Sequence, residues 1–423
     1  MNNKIDKNII IKVAPSIIKG NVKISGAKNS ALKLLVASLL TDENIYLFNF
    51  PSKLYDILVT MKMLQKLGKK FIYKEDYLKI ESSMSIKSEL NWEEEDSVRI
   101  TTLILGALLA RNKYGKVPLP GGCKIGERKY DLHIMILEKM GAKIWEEGNY
   151  ILGEAPKGLF GTEIKLPIRS TGATELAIIS STLAKGKTVI YGPHIRPEIL
   201  DLISLLNRMG AKIYVRGQES IIIEGVNYLH STFHNVIPDN VEALTYVISA
   251  LITKGEIEIQ NFPYENLEVP LVFLRESGGI FYKNEFSFLV KGKECYPIEI
   301  STGPYPGINS DMQPLFAVIG MKAKGVSKII DLRFPGRYNY ISEFQKMGGV
   351  FTISDNILTI IGPCELKGTT VCALDLRCGA ALILAGLIAE GETRILNAWQ
   401  ILRGYEDIDK KFQQIGGKVY IES

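Results

Sequence analysis

The chain has 423 residues, enough for two or more domains with sizeable cores. A net charge of +5, with 46% hydrophobic and 23% charged residues, does not argue for nucleic-acid binding, but it allows a local basic pocket for an anionic small molecule. Met1 to Lys12 lacks the apolar core of a signal peptide, and the apolar run Ala380 to Ala389 is about half a membrane span, so no membrane partner is expected.

In chain order, Lys28-Asn29-Ser30 opens an apolar helix from Ala31 to Leu40, and Gly68 closes a second, amphipathic helix. The next apolar helix, Ile100 to Ala110, follows Asp96, Ser97 and Arg99. Then comes Leu119-Pro-Gly-Gly-Cys-Lys-Ile-Gly-Glu-Arg-Lys-Tyr-Asp-Leu-His133, in which Cys123 stands among glycines and just before Arg128. A cysteine in a mobile basic loop is placed for thiolate chemistry; an incidental surface thiol is the plain alternative. Gly141 closes the helix after this loop, and Ala142-Lys-Ile-Trp and Tyr150-Ile-Leu read as two strands about a turn. Ser170-Thr171-Gly172 opens the helix Ala173 to Ala184, and Gly210 precedes another strand pair, 211–215 and 220–223. His230 and His234 lack a third metal ligand and read as solvated residues near a linker. Asp239-Asn240, Ser310-Asp311 and Asp375-Leu376-Arg377 open the last three apolar helices, Val241 to Thr253, Met312 to Met321 and Gly379 to Ala389. Five cysteines without CxxC spacing (Cys123, Cys295, Cys364, Cys372, Cys378) read as reduced thiols in a cytoplasm.

The closing glycines, 68, 141, 210, 278, 348 and 416, are spaced by 73, 69, 68, 70 and 68 residues. A fixed period marks duplicated structure. Each glycine suits the left-handed residue that ends a helix. Each repeat reads as strand, helix, strand, helix, strand, strand, an α/β unit with apolar helices buried on most faces. Polar residues at the starts of those helices serve as N-caps, or, with Lys28, Arg99 and Arg377, help to gather an anion. Pro120 to Gly141 spans 21 residues where Pro51 to Gly68 and Pro193 to Gly210 span 17, so Cys123 lies in an insertion. Arg128 and Arg403 each precede their closing glycine by 13 residues and Arg337 by 11, matched strand-to-helix junctions at which three arginines converge.

Ser25-Gly-Ala-Lys-Asn29, the Leu119 to Arg128 loop, Asp131-Leu-His133, Ser310-Asp-Met-Gln313, Asp375-Leu-Arg377 and Arg403-Gly-Tyr405 together resemble the enolpyruvyl transferases over essentially the whole chain. The resemblance implies an inside-out α/β barrel of two similar domains, each of three βαβαββ-type repeats, with residues 1–29 joining 238–423 and residues 30–237 forming the other. It implies an active site in a cleft, closed by domain motion and by the Cys123 loop. The reaction implied is transfer of the enolpyruvyl group of phosphoenolpyruvate to the 3′-hydroxyl of UDP-N-acetylglucosamine, with release of phosphate, the first committed step toward peptidoglycan precursors.

By the same resemblance, Cys123 is the general acid, forms a covalent adduct and is the target of fosfomycin, while Asp311 is the base. Lys28, Arg128 and Arg403 hold the phosphate, Arg337 and Arg377 the carboxylate, and Asn29 contacts the substrates. Arginine suits this because its planar fork binds oxyanions through two donors. Arg99, Lys129, Tyr130, Asp131, Leu132, His133, Ile168, Arg169, Ser170, Thr171, Gly172 and Arg333 line the nucleotide-sugar site. No metal or organic cofactor is implied, and the molecule is expected to be a monomer or weak homo-oligomer in the cytoplasm.

Departures from the family pattern concentrate on the acceptor side: Leu103, Lys129-Tyr130, Ile168-Arg169, Thr171, Asn240 and Pro335-Gly336. Two other readings fit parts of the pattern. One is an enolpyruvyl transferase acting on a different nucleoside or sugar nucleotide, and the other is a non-catalytic ligand-binding regulator. The Cys123 loop argues against the shikimate-type branch of the family.

Overall fold

The helices that end at the repeated glycines are all stopped in one way. In the computed structural model, which describes residues 7–74, 77–83, 85–92, 98–121 and 130–422, Gly68, Gly141, Gly210, Gly278, Gly348 and Gly416 have φ between +83° and +112°. At each, the glycine N–H bonds to the carbonyl three residues back and the next N–H to the carbonyl five back, as in Gly68 to Gln65 and Lys69 to Leu64, both 3.0 Å. This paired ending satisfies carbonyls the helix leaves open, and its left-handed residue carries no Cβ.

By its contacts the chain divides into Met1–Ser25 with Pro238–Ser423, and Gly26–Ile237. The first crossing falls at Ser25–Gly26, a few residues before the position, about 29, that the resemblance implied. The Ala27 N–H bonds to the Ile237 carbonyl at 2.7 Å and Lys28 pairs with Asp56, which ties residues 26–29 to the second unit.

In Gly26–Ile237 the complete repeat runs Glu163–Lys165, Thr171–Thr182, Lys187–Tyr191, Pro197–Arg208, Lys212–Arg216 and Ser220–Glu224. Strand Lys187–Tyr191 lies parallel to the first strand and antiparallel to the last. A parallel pair needs a crossover, and the helix Thr171–Thr182 supplies it. The preceding repeat reduces its first strand to a bridge between Glu89 and Lys116. The earliest repeat borrows its first strand from Thr232–Asn235, parallel to Ile45–Phe48.

The other unit likewise completes its sheets with strands from its own far end. Lys19–Lys23 lies parallel to Glu256–Gln260, and Ile10–Ala14 is inserted between Thr393–Leu396 and Lys418–Glu422. Among the described residues each unit holds three sheets and its own apolar core.

The apolar helices lie inside each unit and the sheets outside. Asn240–Ile252, Gln313–Lys322 and Leu376–Gly386 pack on one another, as Thr101–Asn112 does on Lys28–Ala37 and Thr171–Thr182. Every residue of Leu376–Gly386 is buried, as a helix apolar on all faces requires. Gly106 permits one close approach: a Cβ there would lie 2.5 Å from Leu176 Cδ1. The fold is an inside-out α/β barrel of βαβαββ repeats, three to each of two similar units. No helix among the described residues is long and apolar enough to cross a membrane.

Candidate active site

In the unit containing residues 238–423, three helix starts use their acidic residues differently. Asp239 and Asp375 accept amide hydrogen bonds and cap their helices. Asp311 does not cap its helix, whose N-cap is Met312 without a side-chain bond. Its carboxylate instead meets Arg337 Nη1 at 2.9 Å and Arg377 Nε at 3.6 Å. Arg337 Nη1 also donates to Ser310 Oγ at 3.0 Å.

Arg377 is 3% exposed, and its guanidinium lies 5.8 Å from the centre of the Tyr405 ring. The Tyr405 hydroxyl shares a 2.9 Å hydrogen bond with Thr245 Oγ1. Burial alone lowers the pKa of Arg377, but Tyr405, Asp311 and Asp239 outweigh it and the pKa is raised. Arg337 follows the same balance, burial being outweighed by Asp311 and Asp375. Both guanidiniums are therefore charged.

Three of their buried nitrogens, Arg337 Nη2 and Arg377 Nε and Nη1, have no hydrogen-bond partner. Buried donors without partners are costly. Two charged guanidiniums with buried nitrogens that make no hydrogen bond suit an oxyanion. Arg403 is buried nearby in sequence to Trp399, 5.7 Å from that ring, and donates to Gln400 Oε1 at 3.0 Å. Arg333 is exposed and lies 5.7 Å from the Phe334 ring, as does Arg337.

In Gly26–Ile237, Lys28 is the first residue of its helix, behind Ala27, which makes no side-chain cap. Its buried ammonium pairs with Asp56 at 3.1 Å, and Asn29 is half-buried. Burial and neighbouring Arg99 push the pKa of His133 down to about 4, against the opposing charge of Asp131. Gly172 leaves room for His133: a Cβ there would lie 2.9 Å from its Nε2. Thr171 Oγ1 bonds to His194 Nδ1 at 2.8 Å, and Ser170 Oγ accepts from the Ala173 N–H at 3.4 Å.

The structure thus gathers Arg99, Asp131, His133 and Gly172, with Leu132, Ser170 and Thr171 adjacent in sequence. The Tyr130 hydroxyl donates to Glu146 Oε1 at 2.7 Å, and that bond, with burial, raises its pKa to about 12. Ile168 and Arg169 are exposed, and Arg169 Nη1 lies 3.5 Å from Gln218 Oε1. Cys123, Arg128 and Lys129 lie outside the described residues.

Sequence reasoning missed the partners: Asp56, Glu146 and Thr245 reach their sites from other elements, and no local pattern marks them. It also misread His234, which is buried rather than solvated. Its Nε2 lies 2.7 Å from Asp201 Oδ1, because the strand Thr232–Asn235 turns alternate residues into the core. Among the described residues no group of His, Cys, Asp and Glu could hold a metal ion.

The family model described as EPSP synthase (3-phosphoshikimate 1-carboxyvinyltransferase) matches residues 13–412. The chain belongs to the enolpyruvyl transferase family. This enolpyruvyl transferase is 39% identical over 416 residues to the UDP-N-acetylglucosamine 1-carboxyvinyltransferase of Finegoldia magna, covering 97% of this chain and 98% of that one. It is 43% identical over 407 residues to the protein of the same name from Prochlorococcus marinus, covering 95% and 89%. Among solved structures, the enolpyruvyl transferase NikO from Streptomyces tendae superposes with a TM-score of 0.86 at 21% identity, covering 98% of this chain and 99% of that one. EPSP synthase from Acinetobacter baumannii superposes at 0.77 with 16% identity, covering 98% and 100%. The two structural likenesses concern the fold. Like its relatives, this enolpyruvyl transferase is an enzyme.

Proposed function

We propose that this enzyme transfers the enolpyruvyl group of phosphoenolpyruvate to the 3′-hydroxyl of UDP-N-acetylglucosamine, releasing phosphate, as a cytoplasmic step toward peptidoglycan precursors. The observation that carries the reading is Asp311 between two charged, buried guanidiniums, Arg337 and Arg377, whose planar forks suit a carboxylate. The names of the full-length relatives support the acceptor.

Arg337 and Arg377 hold the phosphoenolpyruvate carboxylate, while Lys28, Arg128 and Arg403 hold its phosphate. Asn29 contacts the substrates beside Lys28. Cys123 gives its proton to C3 as the acceptor oxygen attacks C2, and Asp311 takes the proton that the hydroxyl loses. A C3 proton then returns to the Cys123 thiolate as the C2–O bond to phosphate breaks, restoring the double bond. The phosphate departs as the anion that the three cations already bind. Arg99, Lys129 to His133, Ile168 to Gly172 and Arg333 receive the nucleotide sugar. His133, neutral at physiological pH, adds no positive charge there.

A second reading, a different nucleoside or sugar nucleotide as acceptor, is favoured by the departures at Lys129-Tyr130 and Ile168 and disfavoured by the intact Asp131-Leu-His133. Phosphate release from phosphoenolpyruvate, measured with and without UDP-N-acetylglucosamine, separates them. Release that depends on this acceptor is expected. Release with another sugar nucleotide alone would establish the second reading, and none with any acceptor would overturn both.

A further inference from the structure

Asp331 follows the strand Gly325–Ile330 and has no role in the chemistry above. Its side chain is fully buried, a costly place for a carboxylate unless donors surround it. Here they do. Oδ1 accepts from Thr302 Oγ1 at 2.8 Å, the Arg333 N–H at 2.9 Å and the Phe334 N–H at 2.8 Å. Oδ2 accepts from Ser310 Oγ and from Gln313 Nε2 at 3.4 Å. The backbone is fixed as well: the Asp331 N–H donates to the Tyr338 hydroxyl at 2.9 Å, and its carbonyl accepts from Asn356 Nδ2 at 3.1 Å.

Two of these donors lead to Arg337. Ser310 gives its hydroxyl proton to Asp331 and accepts from Arg337 Nη1 at 3.0 Å. Gln313 Nε2, besides reaching Asp331, donates to the Arg337 carbonyl at 3.2 Å. Both ends of Arg337 are thus referred to one buried carboxylate.

We propose that Asp331 is a positioning residue, which through Ser310 and Gln313 orients Arg337 and thereby sets its pairing with Asp311. The inference rests on the reading of Arg337 as a ligand of the phosphoenolpyruvate carboxylate. Its logic is the polarity of a hydroxyl. While Asp331 accepts, Ser310 keeps a lone pair for Arg337. An amide NH2 in place of Oδ2 would make Ser310 accept from residue 331 and turn its own proton toward Arg337, donor against donor.

The test is steady-state kinetics of Asp331→Asn, Ser310→Ala and the double variant, varying phosphoenolpyruvate and UDP-N-acetylglucosamine in turn, with thermal unfolding alongside. Each single change is expected to raise KM for phosphoenolpyruvate roughly ten- to a hundredfold, as loss of an oriented charged hydrogen bond does, with the acceptor KM changed less than about twofold. The double variant should be no worse than Asp331→Asn, because both break one relay. Equal shifts in both KM values, or a lower melting temperature with unchanged kinetics, would mean a merely structural role and overturn the proposal. If Asp331→Asn does not fold, Ser310→Ala decides alone, and an unchanged KM for phosphoenolpyruvate overturns it. Wild-type turnover is read first: its absence refutes the enolpyruvyl reading itself, whereas active wild type with unshifted variants refutes only the positioning role.

Discussion

Asp311 and Arg337 face one another at 2.9 Å, so the group assigned to take a proton is held by the group assigned to bind the substrate's carboxylate. Either one misplaced disturbs the other. Replacing Asp311 by Asn keeps the volume and removes the proton acceptor. Turnover should fall about 10²- to 10⁴-fold, the usual contribution of a positioned base. Phosphoenolpyruvate binding, followed by calorimetry, should survive. Near-wild-type turnover would remove Asp311 from the chemistry.

Arg377 is held between the Tyr405 ring and Asp311, to which its Nε turns at 3.6 Å, and its buried Nη1 has no hydrogen-bond partner. A lysine keeps the charge but loses the planar fork. Arg377→Lys should therefore raise KM for phosphoenolpyruvate roughly tenfold or more, by the loss of one charged hydrogen bond. A KM within twofold of wild type would show that charge alone suffices there.

Cys123→Ser should abolish or greatly weaken turnover and remove alkylation by fosfomycin, read as the mass of the intact protein. Full alkylation of the variant would point to another thiol. Cys295 and Cys378 are poor candidates, since burial raises their pKa to about 11 and about 12 and the thiolate is the reactive form.

His133 gives a pH signature. Its folded pKa is about 4 against an ordinary 6.5. Between those values the unfolded imidazole carries a proton that the folded one lacks, so stability rises with pH by up to about 1.4 kcal/mol per unit. It is lost as pH falls from 6.5 toward 4. In urea unfolding, His133→Gln should flatten this dependence relative to wild type. Parallel curves for the two proteins would contradict a buried, neutral imidazole.

The repeats were legible because each helix stop is a local event. Gly348 needs only the carbonyl of Gln345, and Gly349 that of Phe344, so both the signal and its cause lie within one turn. The borrowed strands were not. Nothing in Thr232–Asn235 announces pairing with Ile45–Phe48, and that distant pairing turned His234 from an apparently solvated residue into a buried one.

The sequence by itself determined the period, the apolar helices with their capping glycines and the family, because these follow from local patterns and ordered motifs. The tertiary structure decided which charges meet. Asp311, Asp239 and Asp375 all stand at helix starts, and sequence offers the same capping role to each. Only folding brings Arg337 and Arg377 to Asp311 while leaving the other two on backbone amides. Asp331 likewise acquires its donors from three separate segments. The reason is range: a cap is satisfied within three residues, whereas a buried ion cluster depends on elements that meet only when the core has packed.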